Sequence, residues 1–344
     1  MPGHDMIVIG ASAGGVEALA QLAQSLPPDL PAALFVVHHF PVDATSVLPD
    51  ILNRCGPLRA VHPRESESIE HGCVYVAPPN RHMLIRRGFV HLIHGPRENG
   101  HRPAIDPLFR SAARVYGKRV IGVILSGTLD DGTAGLQFVK ARGGVAVVQD
   151  PEDALYAGMP RSAIENVDVD YIVPLEGIGS LLTRLAHEPV AEEVDDMADR
   201  NEMEIEDEIT DMTAPHTMID HMPGKPSLFT CPECHGTLWE LKDKDMLRFR
   251  CHVGHAFSVE SLIAGQTEAL EAALWSALRA LEESAALSRR MEKRAHERSQ
   301  KRTAERFSTQ AHDAEEHANV LRRVLIKTKG ELGSDNDRGK ENTP

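Results

Sequence analysis

The chain has 344 residues, with 37 Lys and Arg against 51 Asp and Glu, a formal charge of −14 at pH 7. That length holds one sizeable core plus a smaller unit, and the negative field argues against nucleic acid or an anionic membrane as a partner. Aromatics make up only 4%, which leaves no stacking platform for single strands. No apolar run approaches the ~20 residues that span a bilayer, and the N-terminus lacks the basic-then-apolar layout of a secretory signal. Five cysteines, three of them clustered late, read as reduced thiols plus a metal site in a reducing cytosol.

Residues 1–186 alternate apolar runs with amphipathic stretches. The runs are Met6–Ile9, Ala33–Val37, Val74–Ala77, Val120–Leu125, Val145–Val148 and Tyr171–Val173; helical patterns lie at Val16–Leu26, Ser46–Asn53, Pro107–Val115 and Ala134–Ala141. Strand alternating with helix predicts an α/β fold, a doubly wound, mainly parallel sheet covered on both faces. The stretch Cys73–Val76, His82–Ile85, Val90–Ile93 has turns but no helices between its runs, and reads as antiparallel hairpins on one edge. Asp106-Pro107 reads as an N-cap followed by proline at the first helical position. From 190 to 224 an acidic tract is relieved only by Arg200, and buries too little apolar surface to fold alone. A compact cysteine-rich unit follows. Beyond it, Leu270, Leu274, Leu278, Leu281 and Ala285 share one helical stripe. Phe307, Ala311, Ala314, Ala318, Leu321 and Leu325 form a second at coiled-coil spacing. The charged stretch Glu292–Glu305 either bends into a helical hairpin or continues as one long helix, and the last dozen residues are polar. The boundaries expected are 1–187 for the α/β domain, 188–224 for the linker, 225–258 for the cysteine unit, 259–329 for the hairpin or coiled coil, and 330–344 for a disordered tail.

The turn Gly10-Ala11-Ser12-Ala13-Gly14-Gly15, between a strand and a helix, admits three readings. A P-loop is excluded because no Lys follows Gly15. A dinucleotide fingerprint needs glycine where Ser12 stands, and an acid at the end of the second strand for the ribose. That strand ends Val36-Val37-His38-His39-Phe40-Pro41, with histidines instead. The third reading is a nucleophile elbow of the G-x-S-x-G type. In a parallel sheet the carboxyl ends of strands share one edge, so Ser12, His38-His39 and Ser126-Gly127-Thr128-Leu129-Asp130-Asp131-Gly132 converge from three strands. A hydroxyl, a base and a carboxylate are what a triad requires. An ordinary α/β-hydrolase is disfavoured, since its nucleophile comes mid-sheet and its chain order is Ser, Asp/Glu, His. The plainer alternative stays open on spacing alone: surface histidines, and an Asp-Asp-Gly turn that only caps a helix.

The segments IGASAGG, VVHHFP, HRPAIDPLFRSAA and ILSGTLDDGTAGL, in that order across residues 4–187, resemble the catalytic domain of the bacterial chemotaxis methylesterases, the CheB family. The resemblance implies a doubly wound parallel sheet and a Ser-His-Asp triad that hydrolyses glutamate γ-methyl esters on chemoreceptors, some members also deamidating receptor glutamines. Carried over motif by motif, it makes Ser12 the nucleophile, His39 the base and Asp131 the orienting carboxylate. Departures are Ala13 where Thr is common, Thr128 for Met, His38 for Gln and Asp130 for Asn. The resemblance also leads one to expect a stand-alone member without the receiver domain that usually precedes and gates the esterase. The chemistry needs no cofactor. Backbone N–H groups around Ala13 or the Thr128 loop supply the oxyanion donors, and Gln149-Asp150-Pro151 and Gly158-Met159-Pro160 either wall the pocket or are simply loop and helix start.

Cys231-x2-Cys234-x16-Cys251-x3-His255 has the spacing of a zinc ribbon, two knuckles joined by a hairpin of Thr237–Leu241 and Leu247–Phe249. Four protein ligands make a closed, structural Zn²⁺ site rather than a catalytic one. The unit has too small an apolar core to fold without metal. His255 has the best reach, with His252 and His235 as rivals. Cys55 and Cys73 read as ordinary buried thiols. Two functions are weighed. One is a cytoplasmic methylesterase acting on a methylated chemoreceptor or similar helical protein; the other is a signalling scaffold whose ribbon and helices bind a partner or self-associate.

Overall fold

The computed structural model describes residues 3–40, 45–190, 210, 224–242 and 246–334, with side chains to 326. The predicted acidic linker lies outside these, apart from 188–190, Thr210 and Gly224, and the predicted tail lies outside from 335 on. The chain divides into two compact units, Met1–Ile263 and Ala264–Pro344.

The first unit is built on a seven-stranded sheet of β1 (Met6–Ala11), β2 (Ala33–His38), β3 (Arg59–Val61), β4 (Cys73–Val76), β7 (Val120–Ile124), β8 (Val145–Gln149) and β9 (Tyr171–Val173). Its order is β3-β4-β2-β1-β7-β8-β9, and every pairing is parallel. All six residues of β1 are buried, as a strand covered on both faces must be. Ile7, Ile9 and Ala11 face a core shared with α1 (Gly15–Ser25), α2 (Leu48–Cys55) and α6 (Leu175–His187). Met6 and Val8 face the other core, with Phe109 and Leu108 of α3 (Ile105–Tyr116), Leu136 and Val139 of α4 (Thr133–Ala141), and Met159 and Ala163 of α5 (Gly158–Asn166). Each fully buried large apolar side chain in these layers contributes about 1.5–3 kcal/mol.

Two local expectations change. Cys73–Val76 is an inner parallel strand between β2 and β3, not part of a hairpin. Only β5 (His82–Arg86) and β6 (Phe89–Ile93) make the antiparallel pair, as a two-stranded sheet of their own. The parallel crossover from β3 to β4 is the short segment 62–72, which Tyr75 of β4 pins by accepting from the Glu70 N–H and donating to Ser68 O through its Oη. The N-cap of α3 is Ala104 rather than Asp106. Pro107 is therefore the third helical residue, where the N–H is still without an intrahelical partner.

The same unit carries a four-stranded antiparallel sheet, β10 (Lys225–Thr230), β11 (Thr237–Lys242), β12 (Leu247–Cys251) and β13 (Ala256–Ser258). Its small core is Cys231, Leu238, Phe249, Cys251, Phe257 and Leu262. A long helix, α7 (Val259–Glu297), runs on into the second unit, where α8 (Lys301–Ser334) returns along it. The reversal sits at Ser299, whose φ is 57°. Leu278, Ala318 and Leu325 are buried between the two helices, and Arg289 pairs with Glu315 at 2.8 Å. The charged stretch is thus a hairpin turn. No helix among the described residues is long and apolar enough to cross a membrane.

Candidate active site

The chain leaves β1 for β2 in one direction and returns to β7 on the other side of β1. This makes the β1/β7 edge the topological switch point, where open α/β sheets place their ligands. Ser12 follows β1 there. Its N–H donates to Ser126 O at 3.0 Å, extending the β1–β7 ladder by one rung, and Gly15 N–H closes the turn onto Ser12 O at 2.8 Å. Gly14 caps α1 with φ 70°. A Cβ at that position would stand 2.9 Å from Ser126 Oγ, so glycine is required twice over.

The structure brings Ser12, His39 and Asp131 together. His39 Nδ1 lies 3.0 Å from Ser12 Oγ, and its Nε2 lies 2.7 Å from Asp131 Oδ2. An ionised carboxylate only accepts, so Nε2 carries the proton toward Asp131 and the bare Nδ1 accepts from Ser12. Asp131 also accepts from the Ile105 N–H at 2.7 Å, the first residue of α3, where the helix dipole favours negative charge. Burial opposes its ionisation. The hydrogen bond and charge of His39, then His101 and the Ile105 N–H, nevertheless hold Asp131 below the usual carboxylate range.

Around these three stand His38 and Asp106, which the sequence already marks, and His101 and Asn99, which it does not single out. His101 stacks on His39 with ring centroids 3.6 Å apart and planes 7° from parallel. Burial first, then His39, pushes it down to about 4, and the same causes push His38 down to about 4. Both are neutral near pH 7, so neither adds positive charge beside His39. Asp106 lies next to Asp131 and accepts from the N–H groups of Gly132 (3.1 Å) and Gly135 (2.6 Å). Burial, reinforced by Asp131, pushes it up to about 8. The pair therefore holds one negative charge at neutral pH, on the member that faces His39. Asn99 stands between them, its Nδ2 donating to Asp106 Oδ2 at 2.8 Å and Asp131 Oδ1 at 2.9 Å. No spacing rule points to Asn99 or His101, since both come from the loop between β6 and α3. The only signal was that His101 opens the HRPAIDPLF segment and Asn99 stands two residues before it.

Ser126 fixes the far side of the elbow. Its Oγ donates to Ala13 O at 2.8 Å and accepts from Tyr156 N–H at 3.0 Å, while Gln149 Oε1 accepts from its N–H. The Ala13 carbonyl is thereby held, and the Ala13 N–H donates to no group among the described residues. Met159 packs against Gly127, where a Cβ would meet its sulfur at 2.0 Å and Ser12 Cβ at 3.0 Å. Gly158-Met159 thus backs the Ser12 loop, and Gln149 holds it. Leu129, Leu155 and Tyr156 remain exposed around it.

The cysteine unit gathers Cys231, Cys234, Cys251 and His255, with one donor atom from each within 4.8 Å of the others. Cys234 and Cys251 sulfurs lie 3.6 Å apart, and His255 Nδ1 lies 3.7 Å from Cys231 Sγ and 3.5 Å from Cys251 Sγ. Tetrahedral bonds of about 2.3 Å to sulfur and 2.0–2.1 Å to nitrogen put ligand atoms roughly 3.5–3.8 Å apart, so the donor set fits Zn²⁺. His252 and His235 are outside the cluster.

A model of the CheB methylesterase family matches residues 7–182. A Leptospira interrogans protein, named for protein-glutamate methylesterase and protein-glutamine glutaminase, is 44% identical over 184 residues, covering 53% of this chain and 95% of its own. A protein-glutamate methylesterase/protein-glutamine glutaminase of Pyrococcus abyssi is 35% identical over 188 residues, 54% of this chain and 51% of its own. The chain thus spans about half the length of that relative and nearly all of the Leptospira protein. The crystal structure of the Thermotoga maritima CheB methylesterase catalytic domain has a TM-score of 0.51 and 34% identity, covering 53% of this chain and 98% of that one. With slightly more than half of its residues matched by that family model, and a parallel sheet with the same fold as the Thermotoga domain, the chain belongs to the CheB methylesterase family.

Proposed function

We propose that the chain hydrolyses glutamate γ-methyl esters on chemoreceptors or similar helical signalling proteins, and deamidates glutamines at the same centre. The single observation that carries this is the continuous hydrogen-bonded path from Ser12 Oγ through His39 to Asp131. Ser12 Oγ attacks the ester carbonyl as its proton passes to His39 Nδ1. The imidazolium so formed is held by Asp131 and keeps its Nε2 proton. The oxyanion is taken by the Ala13 N–H, a donor of a kind whose loss costs about 10²–10³ in rate. His39 Nδ1 then returns the proton to the departing oxygen and methanol leaves. A water, deprotonated by the same nitrogen, attacks the acyl-enzyme, and the glutamate carboxylate and Ser12 Oγ–H are restored. With glutamine the leaving group is ammonia. The exposed Leu129, Leu155 and Tyr156 offer an apolar rim to a receptor helix.

Cys231, Cys234, Cys251 and His255 hold Zn²⁺ in this reading. Four protein ligands would leave no open position on a bound ion, so these residues would hold a structural Zn²⁺ that joins the two knuckles and not a catalytic one. Free thiols at a metal site support a reducing cytoplasm as the compartment. The test is methanol release from a methylated receptor, together with labelling by a fluorophosphonate probe. Ser12→Ala should abolish both. Methanol release at the wild-type rate from Ser12→Ala would overturn the assignment, and an unlabelled Ser12 in an inactive wild type would favour a scaffold.

A further inference from the structure

The cysteine unit is joined to the catalytic carboxylates. β13 runs beside the segment Arg97–Asn99: the Asn99 N–H donates to Ala256 O at 2.7 Å, and the Ala256 N–H donates to Arg97 O at 3.2 Å. Beneath this contact Glu98 is ion-paired with Arg110 at 3.1 Å and with Arg250 at 3.3 Å, all three side chains being fully buried. Asn99 then uses both ends of its amide. Nδ2 donates to Asp106 and Asp131, as described above, while Oδ1 accepts from the Ser258 N–H at 2.9 Å and from Ser261 Oγ at 3.0 Å. A carboxamide has two donor hydrogens and one acceptor oxygen with two lone pairs, and here all four are engaged. The two donors, Ser258 at the end of β13 and Ser261 in the first turn of α7, define which end of the amide is oxygen, and so aim the NH2 group at the carboxylates. Ser258 Oγ also donates to Asp130 at 2.7 Å, one residue before Asp131.

The path from the metal ligands to this contact is short. His255 immediately precedes Ala256, and the knuckle is closed by the Gly254 N–H to Cys251 O and the Cys251 N–H to His255 O, both at 2.9 Å. Without metal, the knuckle keeps only these backbone hydrogen bonds and a small apolar core to hold its four donor groups together. The start of β13 would then be free to leave Asn99.

We propose that the cysteine unit is a cis-acting part of the esterase centre: through Ser258 and Ser261 it orients Asn99, which positions Asp131, so that occupancy of the Cys3His site by Zn²⁺ sets the turnover of Ser12. Asn99 is a positioning residue, two hydrogen bonds from His39 and three from Ser12 Oγ. The proposal rests on the esterase and zinc readings above.

The experiment uses the full chain and p-nitrophenyl acetate, with kcat and KM measured against pH, zinc content per chain, and the low-field proton resonance of the His39–Asp131 hydrogen bond. Ser261→Ala removes one donor to Asn99 and leaves every metal ligand in place. It should keep one zinc per chain and an unchanged KM, lower kcat about 3- to 10-fold, and shift the low-field resonance. Ser261→Thr, which keeps the hydroxyl, should restore both. Asn99→Ala should lower kcat by about tenfold or more. Chelation of zinc should reproduce the Ser261→Ala loss, and returning Zn²⁺ should reverse it. Wild-type kcat and resonance in both Ser261→Ala and the zinc-stripped chain would overturn the proposal. A wild type that neither hydrolyses the ester nor reacts with the fluorophosphonate probe would instead bring down the esterase reading, and the proposal with it. An active chain that binds no Zn²⁺ would remove the zinc reading and the proposed control by metal.

Discussion

His101 lies flat on the imidazole that takes up a positive charge in the proposed mechanism. Burial, with His39 second, pushes its own pKa down to about 4, so it stays neutral while His39 gains a proton from Ser12. A neutral aromatic face over a partly desolvated cation is worth about 1–2 kcal/mol. The stack also limits how far the ring can rotate away from Ser12 and Asp131. His101→Ala should therefore lower kcat for ester hydrolysis about 5- to 30-fold with little change in KM, since a factor of ten is about 1.4 kcal/mol. His101→Phe, which keeps a flat face, should recover most of the loss. Steady-state kinetics of the two variants decide it; equal activity in His101→Ala would mean that the ring is merely packing.

At the scale of elements, the proposed triad sits where two helix N-termini exchange caps. Asp131, at the head of α4, accepts from the first N–H of α3, while Asp106, in the first turn of α3, accepts from Gly132 and Gly135 at the start of α4. Neither helix has a side-chain cap from its own N-cap residue; each is capped by the other. Asp106→Ala strips α4 of its cap and leaves two buried N–H groups without a partner. The expected cost is about 2–4 kcal/mol, read as a fall in Tm of about 2–4 °C for each kcal/mol in a domain of this size. This mutual arrangement marks how much of the site the chain discloses. Ser12, His39 and Asp131 were legible because each follows an apolar run at a predictable sheet edge, and a parallel sheet aligns those ends. The N-cap misassigned to Asp106 shows the opposite case: the residue type was right, but its side chain serves a helix about 25 residues further on. Cys73–Val76 was misplaced for a similar reason, because its parallel partner strands are set by tertiary packing and not by the turns beside it. Asn99 and Ser258 were invisible in principle, since a contact across 159 positions leaves no period or spacing.

Across the whole molecule, charged and polar groups are buried where the cysteine unit meets the α/β domain. Glu98 joins Arg110 of α3 to Arg250 of β12, and Thr210 donates to Glu98 from the acidic segment. Burial works against the Glu98 charge, but the two guanidinium groups outweigh it and hold its carboxyl well below the usual range. Asp130 is the unbalanced member. Burial pushes it up to about 7, only partly offset by the hydrogen bond from Ser258, and no cation is ion-paired with it among the described residues. In the unfolded chain it ionises near its ordinary value of 3.8. Between these two values the folded state binds the extra proton, so the contribution of Asp130 to stability falls as pH rises from about 4 to about 7, and is constant above. Asn at this position keeps an oxygen to accept from Ser258 and never ionises. Asp130→Asn should accordingly match the wild type in Tm near pH 4, exceed it increasingly up to pH 7, and hold a constant margin at higher pH. Thermal unfolding of the two full-length proteins at pH 4, 5.5, 7 and 8.5 measures that difference directly. A pH-independent margin would place the Asp130 charge in water, and would remove the buried contact with Ser258 that joins the two parts of the unit.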